Sequence, residues 1–179
     1  MAKRLGGKVA VVIGAGRGIG RAEALALAAE GAKVVVNDLG GAGNGTGAST
    51  SPADEVVEEI RKLGGEAVAN YDSVATPEGG ENIIKTAIDN FGRIDILVNN
   101  AGILRDRMIF NMSPEEWDLV IKVHLYGHFH CTKPACVYFR QQRGGRIINT
   151  SSTAGLGNMI WGKPIIAQPR RALSVSHGL

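Results

Sequence analysis

The chain has 179 residues, 44% of them hydrophobic, with 25 glycines and a formal net charge of +3. That is enough sequence for one domain with a real core. It holds no run of about 18 apolar residues of the kind a membrane-crossing helix needs. The opening residues, Met-Ala-Lys-Arg-Leu-Gly-Gly-Lys, lack the apolar stretch of a secretory signal, and Cys131 and Cys136 are too few for a disulfide framework. A reducing compartment and no membrane partner are therefore expected.

The charge is unevenly spread, summing formally to −5 over residues 1–118 and +8 over residues 119–179. The basic residues of the second part are scattered and no stacking aromatics alternate with them. A nucleic-acid partner is not expected.

In chain order, residues 8–13 read as an apolar strand, and a turn with Gly14, Gly16, Gly18 and Gly20 follows. A helix over 19–30 comes next. Strand, glycine turn and helix in this order place free backbone N–H groups and the positive end of a helix dipole where a pyrophosphate can sit. The glycines allow the sharp turn, the approach of backbone to phosphate and close packing of helix on strand.

A second strand is predicted at 33–37, ending at Asp38, 18 residues beyond Gly20. A carboxylate there meets the adenosine ribose hydroxyls of a dinucleotide and repels a 2′-phosphate, which favours NAD. Residues 40–51, with five glycines among serines and threonines, read as a flexible surface connection. Their other reading is a rim near the adenosine end of the cofactor.

Helices follow at 54–63, 79–91, 114–127 and about 132–142, with strands at 66–69, 94–98 and 146–150. Short apolar strands alternating with helices predict an α/β doubly wound parallel sheet, Rossmann-like, whose ligand lies at the carboxyl ends of the strands. The pattern is incomplete at the C-terminal end. His124 and His128 are four residues apart with His130 close by, but no further ligand is placed to complete a metal site, and none is expected.

Three motifs in sequence carry a resemblance. The spaced glycines Gly14, Gly18 and Gly20, the run Asn99-Asn100-Ala101-Gly102, and Ser151-Ser152 together resemble the short-chain dehydrogenase/reductase family. Four further stretches, starting at Asn37, Ala69, Gly102 and Val123, are similar to the 3-hydroxyacyl-CoA dehydrogenase unit of peroxisomal multifunctional enzymes and its bacterial relatives. The resemblance runs from residue 6 to about 158. It implies that Gly14, Arg17, Gly18, Ile19 and Gly20 wrap the pyrophosphate, that Asp38 takes the ribose of NAD, and that Asp72 and Ser73 flank the adenine. It also implies that Asn100, Ala101 and Gly102 line the cofactor floor, while Asn99 either touches cofactor or ties the sheet together. Ser152 would hydrogen-bond the substrate carbonyl. His124 stands where the wider family has an Asn and the narrower group a His.

The implied reaction is hydride transfer between NAD and a secondary alcohol or ketone, with a 3-hydroxyacyl-CoA as the substrate class and a homo-oligomer as the family's assembly. The implied compartment is the cytoplasm, or a peroxisomal or mitochondrial matrix in a eukaryote. Such chemistry needs a Tyr followed four residues later by a Lys, whose ammonium lowers the phenol pKa from about 10. Tyr71, Tyr126 and Tyr138 are instead followed at that spacing by Ala75, His130 and Gln142.

The last residues suggest why. With one base restored after Asn158, the codons permitted by the following residues can spell Asn-Tyr-Asp-Leu-Gly-Gln-Ala-Asn-Tyr-Ser-Ala-Ala-Lys, which holds the missing pair. Residues 1–158 are therefore expected to be a dinucleotide-binding domain and residues 159–179 a tail read in an altered frame. The lost helix would leave apolar surface on the fourth and fifth strands poorly covered. Such a chain is expected to be catalytically inactive. The alternative is a non-catalytic nucleotide-binding or interaction protein.

Overall fold

A computed structural model describes residues 3–152; the expected tail after Asn158 lies outside the described residues. The order of elements is β1 (Val9–Ile13), α1 (Gly18–Ala29), β2 (Lys33–Asn37), α2 (Ser51–Lys62), β3 (Ala67–Asn70) and α3 (Pro77–Phe91). Then come β4 (Ile96–Asn99), α4 (Pro114–Ile121), α5 (Gly127–Gln142) and β5 (Arg146–Asn149). A π-helical turn, Lys122–Tyr126, joins α4 to α5.

The strands pair in parallel in the order β3-β2-β1-β4-β5. Alternation along β1 supplies both faces of the sheet. Ala10 and Val12 pack with Val34 and Val36 against Ala24 and Ala28 of α1 and Val56, Val57 and Ile60 of α2. Val9, Val11 and Ile13 pack on the other face against Ile83, Ile84 and Ala87 of α3 and Cys131 and Ala135 of α5. The chain leaves β1 toward β2 on one side and returns as β4 on the other. A crevice opens at the carboxyl ends where the winding reverses.

The expected α/β doubly wound, Rossmann-like sheet is present among the described residues, with local departures. Helices α2 and α3 start earlier than periodicity suggested, because Pro52 and Pro77 sit in their first turns, where a missing N–H costs nothing. Thr76 caps α3 by accepting a hydrogen bond from Gly79 N at 3.1 Å, and Ser113 forms a capping box with Glu116 at α4. The expected break at 128–131 is absent, and α5 runs through those residues. Polar histidines imitate a loop there, yet His128 is buried and His130 Nδ1 pairs with Val74 O at 2.9 Å.

The expectation of poor cover is wrong for β4, where Leu97 and Val98 are buried. In β5 every residue is exposed or only half-buried, with Ile148 47% exposed.

Candidate functional site

The glycine turn is shaped by contacts that leave no room for side chains. Gly14 has φ +70°, and a Cβ there would lie 2.7 Å from Ala101 Cα. At Gly16 a Cβ would meet Pro52 Cβ at 2.7 Å and the Asp38 carboxylate at 2.8 Å, and at Gly20 it would strike the Gly14 carbonyl oxygen. Arg17 is the N-cap of α1, in extended conformation and with no side-chain cap. Unlike α3 and α4, this helix offers its first amides to an anion.

A cleft of about 350 Å³ lies against this turn. Its described lining brings together Gly14, Arg17, Asp38, Asp72, Ser73, Asn100, Ala101 and Gly102, from the carboxyl ends of four strands. Gly18, Ile19 and Gly20, the first residues of α1, are not among the described residues that line it. Ile19 is 65% exposed. Ser152 follows β5 on the same edge, half-buried, and is not among the described residues that line the cleft.

Asp38 is held by the two turns it joins. Its Oδ2 accepts from Gly16 N at 2.8 Å and its Oδ1 from Gly40 N at 2.7 Å. Each oxygen keeps acceptor capacity for a diol. Arg17 Nη1 reaches across to donate to Gly41 O at 3.2 Å.

Residues 40–51 depart from the reading as a mere surface connection. Gly41, Ala42, Gly43, Gly45 and Gly47 line the cleft. Gly43 O accepts from Leu104 N at 2.9 Å, and a Cβ at Gly45 would meet Ile103 Cδ1 at 2.9 Å. The glycines let this segment lie flat across the cleft, a feature that composition alone cannot distinguish from a floppy loop.

Asparagines that end the strands were not singled out at the second, third and fifth. Asn37, Asn70, Asn99 and Asn149 close β2 to β5 in one register row through Ile13. Asn99 is buried and donates to Asn149 Oδ1 at 2.8 Å and Thr132 Oγ1 at 3.1 Å, so it ties the sheet together. Asn100 donates to Gly14 O at 3.1 Å and fixes the turn. An Asn at the end of four strands was the available signal.

His124 is buried in the π-helical turn, with Nε2 3.0 Å from Ile103 N and 2.8 Å from Ile103 O. That nitrogen is engaged by the main chain of a residue lining the cleft. Among the described residues no three His, Cys, Asp or Glu side chains gather as a metal site would require. Burial pushes the Cys131 thiol up to about 12, so it is no nucleophile near neutral pH. Tyr71 hydrogen-bonds Asp54, and that bond together with burial raises its pKa, opposite to the need of a phenol acting as a base.

The family profile of the short chain dehydrogenases matches residues 8–164. The chain belongs to the short-chain dehydrogenase family. It is 60% identical over 149 residues to a short-chain type dehydrogenase/reductase of Mycobacterium tuberculosis, a match that covers 83% of this chain and 52% of the relative. It is 56% identical over 153 residues to the peroxisomal multifunctional enzyme type 2 of Mus musculus, covering 86% of this chain and 20% of that one. The crystal structure of a short chain dehydrogenase from Mycobacterium avium superposes with a TM-score of 0.87 at 48% identity, covering 96% of this chain and 63% of the other. The chain thus spans about half or less of the length of these two relatives. Members of this dehydrogenase family typically bind a nicotinamide cofactor and a small-molecule substrate. No helix among the described residues is long and apolar enough to cross a membrane.

Proposed function

We propose that this chain is the NAD-binding part of a dehydrogenase whose substrate is a 3-hydroxyacyl-CoA or a related secondary alcohol, and that these 179 residues alone do not turn it over. The observation that carries the reading is the Asp38 carboxylate, anchored by Gly16 N and Gly40 N beside a glycine turn on the cleft. The donor set fits a dinucleotide: an uncapped helix start, a glycine cradle that a Cβ would fill, and a carboxylate with lone pairs to spare. The substrate class follows from the resemblance of the Asn37, Ala69, Gly102 and Val123 stretches to the hydroxyacyl-CoA dehydrogenase unit.

In this reading the amides of Gly18, Ile19 and Gly20 and the Arg17 side chain hold the pyrophosphate, Arg17 through the guanidinium donors that its bond to Gly41 O leaves over. Asp38 binds the ribose diol, and a 2′-phosphate would bring like charge against it. Asp72 and Ser73 take the adenine, and Asn100, Ala101 and Gly102 form the floor. Ser152 polarises the substrate oxygen. When bound, the nicotinamide supplies the hydride acceptor.

The proton step has no owner in the 179 residues, because none of Tyr71, Tyr126 and Tyr138 is followed four positions later by Lys. A positioned acid–base is worth about 10²–10⁴ in rate. The division at Asn158, with an altered frame beyond it, belongs to the same proposal. Reading the nucleotide sequence past codon 158 tests that division.

The functional test is an assay of the purified chain with NAD and 3-hydroxyacyl-CoA, alongside a binding titration. Cofactor binding without turnover is expected. Turnover on the order of 1–10³ per second, ordinary for an enzyme, would show that another residue supplies the base and would overturn the inactive reading.

A further inference from the structure

One cluster of buried polar groups beside the cleft has no part in the roles assigned so far. Asn70, at the end of β3, is buried, yet each of its amide's hydrogen-bonding positions is used. Its Oδ1 accepts from Asn37 Nδ2 at 2.8 Å and from Asp72 N at 3.0 Å. Its Nδ2 donates to Asp72 Oδ2 at 2.8 Å and to Thr86 Oγ1 at 2.9 Å. Asn37, buried on the neighbouring strand, also donates to Asp72 O at 3.0 Å. The main chain and one carboxylate oxygen of Asp72 are therefore both fixed from beneath.

That leaves the other oxygen. Among the described residues Asp72 Oδ1 has only a long contact, 3.4 Å from Asn82 Nδ2. Asp72 itself lines the cleft next to Ser73. A carboxylate so held presents acceptor lone pairs and no donor, in one orientation. It suits a ring that carries an exocyclic amine and opposes one that carries a carbonyl at the same position.

On the reading that the cleft holds a nicotinamide dinucleotide, we propose that Asn70 is a positioning residue that locks the Asp72 carboxylate. The lock makes the cleft select a 6-amino purine over a 6-oxo purine. Adenine offers its N6 hydrogens to Asp72 Oδ1, whereas hypoxanthine sets O6 against it, and two acceptors without a proton between them are both left unpaired. A side chain free to rotate would swing away and blunt this penalty. A merely structural asparagine would weaken both ligands alike, so the ratio of the two affinities is the readout that separates the roles.

The test is calorimetric titration of the full chain with NAD and with nicotinamide hypoxanthine dinucleotide. About tenfold or more preference for NAD is expected of the unchanged chain, the factor that one unpaired polar contact supplies. Asp72→Asn, held with its amide oxygen toward Asn70 Nδ2, offers an NH2 donor where Oδ1 stood and should remove the preference for NAD or reverse it. Asn70→Ala should lower the ratio while NAD still binds. If Asn70→Ala does not fold, Thr86→Val, which removes one acceptor holding the same amide, must lower the ratio instead.

Tight NAD binding with no preference over the hypoxanthine analogue would overturn the proposal and leave the dinucleotide site standing. The proposal also falls if Asp72→Asn loses the preference but Asn70→Ala keeps it. It falls equally if Thr86→Val keeps the preference where Asn70→Ala does not fold. Failure to bind either ligand would overturn the underlying dinucleotide reading.

Discussion

The two sides of the sheet differ in how they are closed. On the side of β1, β2 and β3, every residue of β1 and all but the first of β2 are buried, and the Asn37–Asn70 pair at the rim is itself covered. On the side of β4 and β5 the same register row continues as Asn99 and Asn149. In that row Asn99 is buried and Asn149 half-buried, and beside it in β5 Ile148 stands open. The first side carries the glycine turn, Asp38, Asp72 and Ser73. The second carries Asn100, Ala101 and Gly102, which we assign to the cofactor floor, and Ser152, which we assign to the substrate oxygen. Asp38 and Asp72, to which we assign cofactor recognition, thus follow strands on the better-packed side, and Ser152 follows the open edge strand β5. The comparison teaches that one register row can run from a fully packed centre to an open edge strand.

The largest break in that comparison comes from Gly14→Val. Its Cβ would overlap Ala101, which joins the two sides, at a positive φ that a branched side chain does not adopt. We expect a stability loss of about 3 kcal/mol or more, read by thermal unfolding, and no measurable NAD binding. Ser152→Ala should leave NAD affinity within about twofold, since Ser152 does not line the described cleft.

Asp95 sharpens the comparison from the amino ends of the strands. Its carboxylate accepts from Val9 N at 3.0 Å, Lys8 Nζ at 3.2 Å, and Arg93 Nε and Nη2 at 2.8 and 2.7 Å. Burial alone would raise its pKa, but the bonds from Arg93, Val9 N and Lys8 outweigh it and hold the group below its ordinary value. Its contribution is complete above the unfolded value near 4 and is lost as pH falls through the folded one. Asp95→Asn should cost about 1–3 kcal/mol at pH 7 in denaturant unfolding. The gap to the unchanged chain should close as pH drops below about 4. A gap constant with pH would detach Asp95 from this role.

The smallest effect belongs to the open edge. Ile148→Ala should change stability by about 0.5 kcal/mol or less, because the side chain is 47% exposed, whereas Val12→Ala at the buried centre should cost about 2 kcal/mol. Equal costs would mean that β5 is as well packed as β1.

The element order was legible because β-branched runs and helical periods alternate cleanly up to β5, and the glycine turn was legible because Gly14, Gly16 and Gly20 leave no room for a Cβ and Gly18 has a positive φ. The position of Asp38 on the cleft could be read from its spacing. The continuous helix through His128 and His130 was not legible, since its polar residues are satisfied by tertiary partners such as Val74 O. Nor was the row of asparagines, whose meaning depends on strand register that a single sequence does not display. For residues 40–51 the surface-connection reading was preferred to the rim reading because glycine content signals freedom, whereas here it permits close lying against Ile103 and Leu119.

The central claim is that Asp38 makes this cleft an NAD site. Its most direct measurement is a pair of titrations, NAD and NADP, on the unchanged chain and on Asp38→Ser. We predict that the unchanged chain binds NAD at least about tenfold more tightly than NADP, and that Asp38→Ser removes most of that difference by relieving the charge against the 2′-phosphate. Equal affinities in the unchanged chain, or a preference that survives Asp38→Ser intact, would contradict the account.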